Sequence, residues 1–417
     1  GDLFLNTLND GEVGGNLSVT ATTGTITQGI GLGVTGTGSF TTLQDDQAIT
    51  LSNTGNLIGG DVDFTTNTSA AAGAGAGHVT LDNGILDVVF GASTVDGNLV
   101  VTSGNVAGIT DNGTVTVDAD VSLTTDANAG VINMNQLAQT SLGTNTLLLD
   151  TDTTGTATIV NTTGINLAAN TGVGGATSIT ATTGNIIDDG TFTVSAGGAS
   201  FTTTAANATI DLGTLDVTGL IAVNTSGATG SATIVNATAL DFATSSVGFN
   251  LSATATTGDI TQTGGGLTVT GASTFITEAT GSNIILDHAS NAFTGSVTLK
   301  AATAGDEAFG NITFRDSGAV NFNSSAAGAN DLFIDALVNG AISGNLSLTA
   351  SGAITINTAI STIGGSVTMV GAGISSIVGG TITTTAAANS GTISGAVDLS
   401  ATGAGTRLSS NAHQPSS

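Results

Sequence analysis

The sequence predicts an all-β fold, a parallel β-solenoid. Three observations carry that expectation: blocks of sequence that recur down the chain, apolar side chains at alternate positions of short runs, and a composition built from small β-formers.

The recurrence is direct. Asn16-Leu17-Ser18-Val19-Thr20-Ala21-Thr22-Thr23-Gly24-Thr25-Ile26-Thr27-Gln28 returns almost intact as Asn250-Leu251-Ser252-Ala253-Thr254-Ala255-Thr256-Thr257-Gly258-Asp259-Ile260-Thr261-Gln262. Weaker copies begin at Asn98, Thr177 and Asn345. The shared glycines, Gly24, Gly104, Gly184, Gly258 and Gly352, are separated by 80, 80, 74 and 94 residues. Further blocks follow in most copies: Gly33-Val34-Thr35-Gly36 resembles Leu267-Thr268-Val269-Thr270-Gly271, and Asn56-Leu57-Ile58-Gly59-Gly60 resembles Asn291-Ala292-Phe293-Thr294-Gly295. The expected organisation is one continuous solenoid over 1–410, of about five units starting near 16, 98, 177, 250 and 345, with a non-repeat tail at 411–417. The unit starts are expected on one common face.

Inside each unit, runs such as Ala48-Ile49-Thr50-Leu51-Ser52 and Val79-Thr80-Leu81-Asp82 alternate apolar and polar, the period of a half-buried strand. Gly, Asn and Asp punctuate the runs and supply turn conformations with positive φ. No window carries a 3.6-residue apolar stripe, so no helix longer than a turn is expected.

Composition chooses between all-β architectures. With no Trp, Tyr or Cys and one proline in 417 residues, the chain lacks the anchors of immunoglobulin-like sandwiches. Val, Ile, Leu, Thr and Ala suit a solenoid interior, where each residue stacks on its equivalent one coil away. About 20 residues per coil would put about four coils in each unit. High glycine with few charges can mean disorder, but 39% hydrophobic residues and a mean hydropathy of +0.36 argue for a buried core.

Charge excludes some functions. Thirty acidic residues against three basic ones, Lys300, Arg315 and Arg407, give a formal charge of −27. That field opposes nucleic acid, whose binding depends on Lys and Arg at phosphates, and anionic membrane surfaces. No apolar run is long enough to span a bilayer as a helix, so no membrane insertion is expected. The chain opens on Gly1-Asp2-Leu3-Phe4, which reads as an internal or processed piece of a longer secreted protein.

The blocks quoted above resemble the filamentous-haemagglutinin-type repeat proteins, a family of secreted bacterial adhesins and large exoproteins. The family's run of Gly-Asn/Asp-Ile-Thr-Gln, then Leu-Thr-Val-Thr-Gly, then Ile-Thr-Leu, then Asn-Asp-Phe-Gly-Gly-Val is matched most fully from Gly258 to Leu299. The resemblance spans roughly Asn16 to Ala404. It implies a right-handed parallel β-helix, outer-membrane secretion from a Gram-negative type bacterium, and an adhesive role at the cell surface or beyond it. The family's secretion domain, with its Asn-Pro-Asn motifs, has no counterpart here, since the one proline is Pro415.

Residues with chemistry are sparse. Three histidines, His78, His288 and His413, offer little general-base capacity, and three scattered cations cannot build a polysaccharide-cleaving cleft. The pairs Asp45-Asp46, Asp118/Asp120, Asp150/Asp152 and Asp188-Asp189 could serve two-carboxylate hydrolysis, but read better as solvated turn residues. No catalytic or cofactor-binding residue is expected, and no enzyme. Calcium is the one cofactor weighed: Asp45, Asp46, Asp188 and Asp189 are the candidate ligands, although the Gly-Gly-x-Gly-x-Asp nonapeptide of calcium-rolled solenoids is absent. Thr-x-Thr runs follow from β-propensity rather than from an ice-binding face. Phe40, Phe201 and Phe275, each 16 or 17 residues after its unit glycine, are expected in a stacked core ladder.

The functional expectation is an extracellular structural or adhesive rod, a stalk or a filament former, joining copies through terminal coils. The alternative is a glycan- or calcium-binding adhesin or surface-layer module.

Overall fold

The computed structural model describes residues 1–6, 12–67, 75–140, 144–301, 310–335, 344–376, 380–385 and 396–403. Arg407, His413 and the 411–417 tail lie outside them. Every element assigned among the described residues is a strand, and every pairing between strands given below is parallel. Two compact units emerge, Gly1–Gly219 and Leu220–Ser417. Each is a parallel β-solenoid.

In the first unit, one sheet stacks Leu3, Ile26, Ile49, Val79, Leu99, Val121 and Leu147 as partners from coil to coil. The opposite sheet starts Leu17–Gly38–Val62 and continues through Ala157–Thr177–Ala199. Partners are 20 to 30 residues apart, a coil slightly longer than the expected 20. A small third sheet, Glu12–Val13, Gly33–Val34 and Leu57–Ile58, flanks the first coils. The second unit repeats the plan, with Ala232–Leu251–Ser273–Val297 on one sheet and Ile284–Ile312–Leu346–Val367 on the other.

The alternation read from the sequence is the core. Strands such as Ala157–Asn161 and Ser273–Thr277 are buried at every second residue. Inward residues stack in columns about 4.8 Å per layer: Leu81, Val101, Leu123 and Leu149 form one, each at most 1% exposed. Each fully buried Leu, Ile or Val contributes about 1.5–3 kcal/mol.

Phe40, Phe201 and Phe275 are fully buried, as expected. They belong to three separate clusters rather than one ladder. Phe40 stacks on Phe64 (5.8 Å), which leans on Phe90 (6.3 Å). Phe201 meets Phe192 edge-on (6.4 Å). Phe275 lies in a run of Phe242, Phe275, Phe293 and Phe314 with centroids 5.4–6.0 Å apart.

The unit starts do not share a face. In the first unit, the strand after Asn16 belongs to one sheet, the strand after Asn98 to the opposite sheet, and Thr177 to the first again. In the second unit, Leu251 and Leu346 also fall on opposite sheets. The interval between starts holds three coils and a further half, not four. Both sheets point alternate side chains into one interior, so a block of strand plus corner fits either of them. The long interval between Gly258 and Gly352 has its own cause: strand Asp331–Ile334 is wedged between Val297–Ala301 and Val320–Phe322, pairing with both.

Corners explain much of the threonine. Thr42, Thr125 and Thr203, at most 3% exposed, each donate a hydroxyl hydrogen bond to the carbonyl five residues on, in Gln47, Gly130 and Ala208. The residue four on takes a left-handed φ: Asp46 at 60°, Ala129 at 63° and Asn207 at 69°. The hydroxyl satisfies a carbonyl that the turn would otherwise leave without a ladder partner.

Candidate functional site

Many acidic and amide side chains bond from one coil to the next. In the second unit, the residue just before each strand carries the rung: Asp259 Oδ1 accepts from the Asn283 amide (2.8 Å), Asn283 Oδ1 from Asn311 (2.6 Å), Asn311 Oδ1 from Asn345 (2.9 Å), and Asn345 Oδ1 from Ser366 (2.8 Å). The first unit uses the same position, with Asn16 Oδ1 accepting from Thr37 N, and Asn98 from Asp120, whose Oδ1 accepts from Thr146 N. This is why the repeated blocks open on Asn.

The four calcium candidates occupy two unconnected corners with their own partners. Asp45 accepts from Asn67 Nδ2 (2.5 Å), and Asp46 Oδ1 from Ala76 N (2.8 Å). Asp188 clamps the next coil: Oδ1 accepts from Gly213 N (3.0 Å), and Oδ2 from Thr214 N (2.8 Å) and Thr214 Oγ1 (2.9 Å). Asp189 enters through its backbone N–H, which donates to Leu167 O (2.8 Å). Asp118 likewise accepts from Thr140 Oγ1 and Asp120 from Thr146 Oγ1. Among the described residues, no group of three His, Cys, Asp or Glu is placed to hold a metal ion.

The structure brings together one acidic group that the pairs did not reveal. Asp126, Asp150 and Asp152 line an open hollow of about 300 Å³ with Thr124, Thr125, Thr151 and Thr171. Its walls are the paired strands Val121–Asn128 and Leu147–Asp152. Asp150 Oδ1 also accepts from Thr171 N (2.7 Å) and Thr171 Oγ1 (3.0 Å). The only signal in the sequence was Asp126 lying one coil length before Asp150 and Asp152, legible once the register is known. An apolar groove of about 520 Å³ runs along the small third sheet, lined by Val13, Val34, Leu57 and Leu86 with Glu12 at its edge.

Two buried amide corners hold the interior. Asn56, fully buried, donates to Leu51 O and Asp82 O, accepts from Leu32 N, and exchanges bonds with Gln28. Asn291 repeats this with Leu286 O, Leu267 N and Gln262. The Gln and Asn of the recurring blocks are therefore packing partners.

Three carboxyls have displaced acidities. Backbone and hydroxyl hydrogen bonds from Thr25 lower Asp2. Burial raises Asp63, with the charge of Asp61 adding to it. Burial raises Asp316 too, against the hydrogen bonds it accepts from Phe293, Gly318 and Ser317 amides. Asp316 is 3% exposed and, with Asn330 and Asp331, borders a void of about 10 Å³, room for one water at most.

The His, Lys and Arg side chains of the described residues are dispersed. His78 Nδ1 accepts from Asn98 N (2.9 Å), and His288 Nδ1 from Ser290 N (3.2 Å). Both rings are thereby used as backbone acceptors. Lys300 and Arg315 sit on different strands, Val297–Ala301 and Ile312–Asp316.

Against known proteins, the family model described as Repeats of unknown function (DUF5649) matches residues 3–65, 76–147 and 229–300. Both Gln–Asn corners fall inside matched segments, Gln28–Asn56 in the first and Gln262–Asn291 in the third. No curated protein and no solved structure matches the chain. The chain is a β-helix repeat protein with segments similar to these repeats.

Proposed function

We propose that this chain is a structural scaffold, the stalk portion of an extracellular or cell-surface adhesive protein of the filamentous-haemagglutinin type. One observation carries the reading. Many of the side chains that could do chemistry, chiefly Asp, Asn and Gln residues, bond from coil to coil, as in the Asp259–Asn283–Asn311–Asn345 line. A surface of Thr, Ser and carboxylates around such an interior suits an inert, highly hydrated spacer. Chains of this kind would associate with further copies rather than turn over a substrate. Immunogold electron microscopy of producing cells tests the reading: label on surface or released filaments is expected, and label confined to the cell interior overturns it.

A second reading is a calcium-binding adhesin, for which Asp126, Asp150 and Asp152 around the open hollow offer carboxylates but no preformed metal-ion group. Thermal unfolding with Ca²⁺ against NaCl at matched ionic strength separates the two. The scaffold reading expects equal shifts from screening. A saturable calcium-specific shift abolished by Asp150→Asn favours the second.

A further inference from the structure

We infer that Asn112 is a site of spontaneous covalent modification, deamidating through a succinimide while the structurally similar sequence at Asn83 is protected by the fold. The described residues contain two Asn-Gly steps, Asn83-Gly84 and Asn112-Gly113; the third, Asn339-Gly340, lies outside them. Asn-Gly is the step at which the next residue has no Cβ to block approach of its backbone nitrogen to the Asn side chain.

The two steps differ in how the amide is held. Asn83 is fully buried; its Nδ2 donates to Ile58 O (3.0 Å) and Asp87 O (2.6 Å), and its Oδ1 accepts from Ile58 N (2.9 Å). The nucleophile there, Gly84 N–H, donates to Asp82 Oδ1 at 2.8 Å. Asn112 is exposed, and its Nδ2 reaches only the two oxygens of Asp61, at 3.3 and 3.4 Å. Its nucleophile, Gly113 N–H, makes a long 3.3 Å bond to Phe90 O. Water and hydroxide reach this corner, and little has to break for the attack.

The neighbouring coil also prevents escape by substitution at the glycine. A Cβ on Gly113 would lie 2.5 Å from Ala92 N and 2.9 Å from Gly91 C, so packing imposes the residue that makes the step reactive.

The chemistry needs only water. Hydroxide removes the Gly113 amide proton, the nitrogen attacks Asn112 Cγ, and the new N–Cγ bond forms as the Cγ–Nδ2 bond breaks. Nδ2 leaves as ammonia after taking a proton from water. One water then opens the ring at either carbonyl, giving aspartate or isoaspartate. The aspartate product replaces the amide that donates to Asp61 with a carboxylate facing it, beside Asp63, whose pKa burial and the Asp61 charge already raise. The isoaspartate form also adds a methylene to the backbone between strands Ile109–Asp111 and Val115–Val117.

The test is peptide mapping by mass spectrometry, with separation of isoaspartate, after long incubation of the folded protein in mildly alkaline buffer. Conversion at Asn112 should run at least about tenfold faster than at Asn83, whose reaction must wait for local opening. In urea, where both steps lose their surroundings, the rates should come within about a factor of three. In an Asn339→Gln background, which removes the third Asn-Gly step, Asn112→Gln should abolish the acidic charge variant that accumulates in the folded protein. Equal rates at the two sites in the folded protein, or an intact Asn112 where the urea-unfolded chain converts, would overturn the inference. Persistence of the dominant charge variant when Asn112→Gln is added to Asn339→Gln would do the same.

Discussion

Gln262 and Asn291, one coil apart, exchange a reciprocal pair of amide hydrogen bonds inside the second unit: Gln262 Nε2 donates to Asn291 Oδ1 at 2.5 Å, and Asn291 Nδ2 donates to Gln262 Oε1 at 2.9 Å. The same Asn also serves Leu286 O and Leu267 N, so one residue satisfies the backbone on both sides of a corner. Buried groups that lose such partners cost about 1–3 kcal/mol each. Asn291→Ala is therefore expected to destabilise the second unit by about 3 kcal/mol or more. Asn16→Ala, at an exposed rung with a single bond, should cost about 1 kcal/mol. Urea unfolding of the two variants measures the difference.

Phe275 sits between Phe242 and Phe293, edge-on to both at 6.0 Å. Truncation to Ala should cost about 3–5 kcal/mol. Since coils couple mainly to neighbours, amide exchange should quicken in Leu240–Val247, Ser273–Thr277 and Ala292–Phe293 while Val367–Gly371 keeps its protection. A uniform rise through the second unit would contradict local coupling.

Ala129 holds a left-handed φ of 63°, a conformation that strains any residue with a Cβ. Ala129→Gly should raise the stability of the first unit by up to about 1 kcal/mol. Ala138→Gly, in the extended strand Ile132–Gln139, should lower it by about 0.5–1 kcal/mol. Opposite signs in paired melts are the expected result.

Acidity should divide the carboxyls. Asp316, raised by burial, should titrate above the ordinary value of about 3.9, and Asp2, lowered by its Thr25 hydrogen bonds, below it. The signs for stability are opposed. The Asp316 contribution is full below the unfolded value and is lost as pH rises through the folded one. The Asp2 contribution is present above the unfolded value and is lost as pH falls through the lowered one. Carboxyl-carbon NMR titration resolves both, and coincident midpoints would refute the assignment.

The strands were legible because burial on one face imposes a period of two, as at Ala48-Ile49-Thr50-Leu51-Ser52, which contains strand Ile49–Leu51. The burial of Phe40, Phe201 and Phe275 followed from their fixed offset within the repeat. Register was not legible. Asp126 and Asp150 line one hollow because their strands are paired, and a bulge between Thr125 and Asn128 shifts the partner by two residues, which no local pattern announces. The same gap hid the role of Gln28 and Gln262, whose partners lie 28 and 29 residues on. Adjacency in sequence does not show an Asp residue's partners, since Asp188 looks to Gly213 and Thr214 rather than to Asp189.

The half-coil remainder in each repeat has an evolutionary reading. Within the first unit, the strands after Asn16, Asn98 and Thr177 alternate between sheets. Duplicating or deleting one repeat upstream would turn every later decoration to the opposite side, whereas changing two at a time would restore it. Parity of copy number would then govern which direction a surface epitope points, and lineages that must keep an epitope facing outward should gain or lose their repeats in pairs.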